Sequence, residues 1–107
     1  MYYRCGMYNA AAATSLASGT FTSSNVDSTT INLGFKPKYL CIMLSASATS
    51  NTLKIYNEDM QTTKFLANTT WTNLGGTGNA NIYSINDNGF TVNKDSSARA
   101  WTWFAAR

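Results

Sequence analysis

The chain contains no histidine, and this absence removes much of the commonest catalytic and metal-binding chemistry. Without an imidazole there is no usual general base near pH 7, no Ser–His or Cys–His pair, and few routes to a zinc site. The two cysteines, Cys5 and Cys41, are far apart in the sequence and form no metal-binding motif. We therefore expect neither an enzyme nor a bound metal or cofactor.

Charge is also scarce. Charged residues make up 12% of the 107 residues, and the net charge of +3 comes from basic residues scattered along the whole chain. A nucleic-acid-binding surface normally collects its cations on one face or in one run, so we expect no nucleic-acid partner. No stretch approaches the ~20 apolar residues of a membrane span, and no basic segment precedes an apolar run. We expect a soluble protein with no membrane partner and no export signal.

The few carboxylates do not form a catalytic pair. A glycosidase needs two that face each other across a sugar, whereas the adjacent Glu58 and Asp59 would point to opposite faces of a strand. Their context predicts a solvated loop, and Asp87 and Asp95 lie in predicted turns, where Asp bonds to its own backbone. The glycines at 75–78 match no phosphate-binding motif and predict a flexible turn.

Strand signals recur about every ten residues, separated by clusters of Gly, Asn, Asp, Ser and Thr. This rhythm predicts an all-β fold, an antiparallel β-sandwich, over residues 19–107. Residues 1–18 form either an arm or a first strand. The predicted strands are Tyr2–Tyr8, Gly19–Ser23, Thr29–Leu33, Lys38–Ser45, Thr52–Asn57, Thr63–Ala67, Ala80–Asn86, Gly89–Asn93 and Ala98–Ala105.

Two stretches predict which side chains face the core. The run from Tyr39 to Leu44 is apolar at both odd and even positions, which predicts a central strand covered on both faces. In the next strand, alternation predicts that Leu53 and Ile55 face inward while Lys54 faces solvent.

The tripeptide Asp87-Asn88-Gly89 predicts a hairpin, because Asn-Gly is a strong signal for a two-residue turn. We expect Gly89 to supply a positive φ after Asn88, and Phe90 and Val92 to share one face.

The last predicted strand alternates as well. Arg99, Trp101, Trp103 and Ala105 share one face, with Ala100, Thr102, Phe104 and Ala106 on the other. The paired tryptophans are either a cover for the core or an interface stripe between subunits, and both readings are open.

Two residues are candidates for binding a sugar. Trp71 lies in the predicted polar loop Asn68–Asn73, and Arg99 lies near Trp101. The alternative for Trp71 is that it caps one end of the core. The alternative for Arg99 is that its stem packs over an aromatic face with its head in solvent. Cys41 is either a small buried hydrophobe or half of a disulfide with Cys5.

Four segments, in this order, resemble a known family: Gly19–Thr22, Ile31–Leu40, Ile85–Val92 and Trp101–Ala105. Together they look like the small β-sandwich of bacteriophage tail-fibre and other virion proteins. They also resemble, more distantly, the H-type lectin arrangement. The resemblance covers about residues 19–105.

The resemblance implies a non-enzymatic virion structural protein, a tail-fibre, tail or capsid-decoration component. Such a protein is assembled in the bacterial host cytoplasm as a homo-trimer that contacts other virion proteins. The expected assembly residues are Tyr2, Tyr3, Tyr8, Trp101 and Trp103. The alternative is a lectin-like domain at a fibre tip, which binds a host-surface glycan through Trp71 and Arg99.

Overall fold

The computed structural model describes residues 15–45 and 53–107, and its regular structure there consists of β-strands. The predicted strand Tyr2–Tyr8, with Cys5, lies outside the described residues. The strands are β1 (Leu16–Thr22), β2 (Thr29–Asn32), β3 (Tyr39–Leu44), β4 (Leu53–Asn57), β5 (Lys64–Ala67), β6 (Thr70–Asn73), β7 (Ile82–Asn86), β8 (Gly89–Val92) and β9 (Ala100–Ala106).

The strands form two antiparallel sheets that pack face to face, which confirms the predicted β-sandwich. The large sheet has six strands in the order β1-β9-β3-β4-β5-β6, and the small sheet has three in the order β2-β8-β7. The last strand, β9, is therefore inserted between β1 and β3. The first strand begins at Leu16, ahead of the boundary predicted at residue 19.

Strand β6 corrects the prediction of a polar loop over Asn68–Asn73. It pairs with β5 through a tight turn at Asn68 and Thr69, and Asn68 has a φ of 56°. Asn tolerates this left-handed conformation better than most residues. The sequence pattern did not indicate β6 as a strand because its composition is polar, and an edge strand needs few apolar side chains.

The hairpin of β7 and β8 confirms the prediction at Asp87-Asn88-Gly89, with Asn86 opposite Gly89. The predicted positive φ of Gly89 is wrong, since the described glycines with positive φ are Gly34, Gly75 and Gly78. Instead, Gly89 allows close approach, because a Cβ there would collide with the carbonyl oxygen of Ile31 on β2.

Strand β3 is central, as predicted, between β9 and β4. Its predicted coverage on both faces is wrong for the described residues. Leu40 and Ile42 are buried beneath the small sheet, whereas Met43 on the opposite face is 50% exposed. The small sheet covers only one face of the large sheet.

The prediction for β4 is reversed by the structure. Lys54 and Tyr56 face the core with exposures of 0% and 3%, whereas Ile55 is 37% exposed. The register pairs Lys54 with Ile42, which already faces inward, so Lys54 must face inward too. Packing and partners decide the orientation here, and hydropathy does not.

The core contains both tryptophans of β9. Trp101 stacks on Phe21 with ring centroids 6.4 Å apart, and Trp103 meets Phe90 edge to face at 5.7 Å. Gly19 lies opposite Trp103, and a Cβ there would be 2.8 Å from the indole ring. Burial of each large aromatic contributes about 2–3 kcal/mol. Of the two readings of this pair, the structure places both side chains in the core.

Candidate functional site

A group of charged and polar side chains lies on the inner face of the large sheet. We call it the inner charge cluster, and it comprises Ser23, Lys54, Asp95, Arg99 and Trp101. Its centre is Asp95, which is 4% exposed. Arg99 donates from Nε and Nη2 to its two carboxylate oxygens at 2.9 and 2.8 Å, and the Ser23 hydroxyl donates at 2.8 Å. Trp101 Nε1 donates to the same carboxylate at 3.3 Å.

Lys54 is the third ion of the cluster. Its Nζ donates to the backbone carbonyl of Asn79 at 2.8 Å and lies 4.0 Å from the centre of the Trp101 ring. The guanidinium carbon of Arg99 is 5.1 Å from the same ring. Both cations therefore gain a cation–π contact with one indole. The predicted alternative, in which Arg99 lies over an aromatic face, describes its position, and the structure adds the ion pair with Asp95.

The pKa values follow from these contacts. Burial alone would raise the pKa of Asp95, but hydrogen bonds from Arg99, Ser23 and Ser96 overcome it and lower the pKa to about 2. Burial lowers the pKa of Lys54 to about 8, against the attraction of Asp95. Asp95 is thus ionised at neutral pH and unable to donate a proton. The inner charge cluster ties β4, β9 and the segment before β9 together.

The outer face of the large sheet has the opposite character. Across five adjacent strands, the register aligns one apolar side chain per strand into a continuous row. We call it the outer row, and its members are Phe104, Cys41, Ile55, Leu66 and Trp71. With neighbouring strands ~4.8 Å apart, the row is about 19 Å long.

More apolar side chains flank the outer row. Met43 and Leu53 pair with each other on one side of it, and Tyr39 and Leu16 lie on the other. Leu16 is 64% exposed and Phe104 is 49% exposed. Among the described strand residues of this face, the alternating pattern leaves Lys64 as the one charged side chain.

A shallow hollow of about 100 Å³ marks the middle of this face, between β3, β4 and β9. Tyr39, Cys41, Ile55 and Phe104 contribute to its walls. Burial raises the pKa of the half-buried Cys41 thiol. Cys41 is a free thiol in the part of the chain that the structure describes, and Cys5 lies outside that part.

The predicted site residues do not come together. Trp71 is 39% exposed on the outer face of β6, at the far edge of the large sheet from β9. Arg99 precedes β9 and turns inward to Asp95, so these two residues do not form one glycan site. Trp101 and Trp103 are in the core of the chain. The predicted interface residues Tyr2, Tyr3 and Tyr8 lie outside the described residues.

Sequence reasoning missed the outer row. Signals for it were present, because Phe104 lies on the second face of the last strand and the run from Tyr39 to Leu44 is apolar on both faces. The sequence did not show that the small sheet covers only one face of the large sheet.

Within residues 15–45 and 53–107, no group of three or more His, Cys, Asp or Glu side chains could hold a metal ion. No described helix is long and apolar enough to cross a membrane. Comparison with protein-family models, curated proteins and solved structures finds no match to this chain.

Proposed function

We propose that this chain is a non-enzymatic structural protein that acts by assembly with copies of itself, as a tail-fibre, tail or capsid-decoration component of a bacteriophage virion. The observation that carries the proposal is the outer row, a contiguous apolar strip on a sheet face that no described element covers. Water contact with such a strip is unfavourable, and large exposed apolar patches commonly mark interaction surfaces.

A second copy of the chain is the partner that fits this face best. Three rows of side chains across six strands cover roughly 500 Å², so two such faces bury roughly 1,000 Å² together, about the lower limit for a specific interface. With Lys64 as its one charged strand residue, the face has little to repel an identical copy. A strongly charged partner would find few opposite charges to pair with on this face.

The virion setting comes from the sequence resemblance, which implies a homo-trimer in contact with other virion proteins. A sparsely charged surface rich in Ser, Thr and Asn is consistent with it. Detection of the chain by peptide mass spectrometry in purified phage particles supports this setting. Its presence only in the particle-free lysate contradicts it.

Self-assembly is tested by sedimentation equilibrium of the full chain and of the double variant Ile55→Ser/Phe104→Ser. Loss of two apolar side chains from each copy should weaken association at least about 100-fold, because each contributes on the order of 1.5 kcal/mol or more. The matched control is Val26→Ser/Met60→Ser, which changes two apolar residues that are more exposed, at 71% and 65%, and lie outside the strands.

The proposal expects an oligomer for the native chain and the control, and a shift to monomer for the outer-face variant. A trimer mass agrees with the resemblance. A native chain that remains monomeric up to millimolar concentration contradicts the proposal, and so does an outer-face variant with unchanged mass.

Under this proposal, Trp71 and Arg99, the residues expected to bind a glycan in the lectin-like alternative, are not available for it. Trp71 belongs to the outer row, where a second copy would cover it, and Arg99 is held by Asp95. Glycan binding, if it occurs, needs a different site.

A further inference from the structure

Tyr83 occupies an irregular position on β7, the edge strand of the small sheet. The pairing of β7 with β8 shifts between Ile82 and Ser84, so Tyr83 lies in a β-bulge. Its side chain is 47% exposed, although a large aromatic ring is costly to leave in water. Bulges commonly redirect a side chain next to a functional site, so the exposed ring of Tyr83 is a candidate for a binding role.

A groove of about 470 Å³ lies on one side of Tyr83, where the small sheet meets the end of β4. Besides Tyr83, its polar side chains comprise one cation, one anion and three hydroxyls. They are Lys36, Glu58, Tyr56, Thr62 and Ser84, and Leu74 and Ile85 add apolar wall. The volume lies within the ~300–1,000 Å³ typical of small-ligand sites.

A second groove of about 370 Å³ also has Tyr83 in its wall. Its polar lining comprises Asp27, Ser28, Thr91 and Asn93. Because the ring borders both grooves, it forms a ridge between two polar troughs. An extended ligand could lie across the ridge and occupy both troughs at once.

We propose that Tyr83 and its two grooves bind a neutral oligosaccharide, with sugar rings packed against the tyrosine and reaching into the grooves. The C–H face of a sugar packs on an aromatic ring, and its hydroxyls both donate and accept hydrogen bonds. Lys36 supplies donors, and Glu58 and Asp27 supply acceptors. The hydroxyls of Thr62 and Ser28 can do both, whereas Ser84, which donates to Asn86, can accept.

The charges favour a neutral ligand. The first groove pairs one cation with one anion, and the second groove has Asp27 as its charged residue. An anionic polymer would be repelled by both carboxylates, and recognition of phosphate or carboxylate normally uses clustered Arg or Lys. A cationic ligand would be attracted by the two carboxylates and repelled by Lys36, so the grooves hold no cluster of one sign that would select it.

This site is separate from the assembly surface. Tyr83 lies on the small sheet, whereas the outer row lies on the face of the large sheet directed away from it. Assembly through the outer row would leave Tyr83 accessible, so an oligomer would present several copies of the site. Several weak sites on one particle bind a repeating glycan far more tightly than one site does.

The test is an NMR titration of the ¹⁵N-labelled full chain with maltotriose, cellotriose, chitotriose and N-acetyllactosamine, each up to about 20 mM. At least one should give saturable shifts in the amides around Tyr83, Glu58 and Ser84. Tyr83→Ala should weaken that binding about tenfold or more. Tyr83→Phe keeps the ring and should retain most of the affinity.

Met60→Ala is the matched control, because Met60 is an exposed apolar side chain outside both grooves and outside the outer row. Binding lost in Met60→Ala, or unchanged in Tyr83→Ala, overturns the assignment. So does the absence of saturable shifts with every neutral probe, or tighter binding of 3′-sialyllactose than of any neutral probe.

Sedimentation and thermal melting of each variant show that it is folded and give its assembly state. Failure of glycan binding with intact self-association would overturn this inference alone. Loss of self-association in the outer-face variant bears only on the proposed function.

Discussion

The two faces of the large sheet reverse the usual distribution of polarity. The inner face buries a carboxylate and an ammonium and partly buries a guanidinium, whereas the outer face presents aromatic and aliphatic side chains to solvent. Strand β4 shows the contrast in consecutive residues, with Lys54 fully buried and Ile55 37% exposed. The ions of the inner face have partners within the chain, whereas no element of residues 15–45 and 53–107 covers the outer face.

The comparison shows that burial of charge depends on partners. Asp95 receives hydrogen bonds from Arg99, Ser23 and Trp101, so its negative charge is compensated where it lies. The exposed apolar row has no such partners among the described residues, and large exposed apolar patches commonly mark interaction surfaces.

The largest expected effect is that of Asp95→Ala on stability. The substitution leaves Arg99 and Lys54 without their compensating anion and removes acceptors for Ser23 and Trp101. Loss of one partner from a buried ion pair typically costs about 3–5 kcal/mol, and we expect a loss in that range from urea unfolding.

The matched control is Asp59→Ala, which breaks the solvent-exposed ion pair of Asp59 with Lys38. We expect a much smaller change there, because exposed pairs are screened by water. Equal losses for Asp95→Ala and Asp59→Ala would contradict the view that burial makes the inner cluster critical.

A change of pH should alter the free energy of unfolding through Lys54, by a smaller amount than Asp95→Ala does. Burial lowers its pKa from 10.5 in the unfolded chain to about 8 in the folded chain. Between these values the unfolded chain binds more protons than the folded chain, so the free energy of unfolding should rise with pH. We expect a gain of about 1–2 kcal/mol between pH 7 and 9.5.

Lys54→Met should flatten this rise, since it removes the titrating group and keeps a similar volume. Two groups oppose the rise at the upper end of this window, because burial raises their pKa and the unfolded chain ionises first. Cys41 opposes it from about pH 9 and Tyr56 from about pH 10, so the rise should be steepest between pH 7 and 9. A steep rise that persists in Lys54→Met would show that another group controls it.

The smallest change in the free energy of unfolding should come from Ile55→Thr, measured at concentrations where the chain is dissociated. Its side chain is already partly in water and Thr keeps strand propensity, so we expect a change below about 0.5 kcal/mol. The same substitution should cost more at concentrations where the chain is assembled. Thermal melting at two concentrations measures both, and equal shifts would indicate that the outer face stays uncovered.

The antiparallel sandwich could be predicted because turn residues and alternating strands recur regularly along the sequence. The hairpin at Asp87-Asn88 was also local enough to predict. The orientation of Lys54 was not, because its partners Asn79 and Trp101 are distant in sequence, and no local pattern encodes them.

The candidate surfaces were harder to predict than the fold. Trp71 was noticed as an unusual tryptophan, but its place in a row depends on the register with Leu66 and Ile55. Tyr83 was missed although the bulge does leave a mark, because Ile82 and Ile85 both pack on the core at a spacing of three, which breaks the alternation of a regular strand.

The position of β9 between β1 and β3 also constrains how the chain folds. Strands β3 to β6 pair with their sequence neighbours and can form early as local hairpins. Strand β1 has no partner in the large sheet until β9, more than seventy residues later, has been synthesised and inserted. During synthesis, the edge of β3 therefore stays open to wrong pairing until the final residues arrive. The rate-limiting step of folding should be the closure of this longest loop.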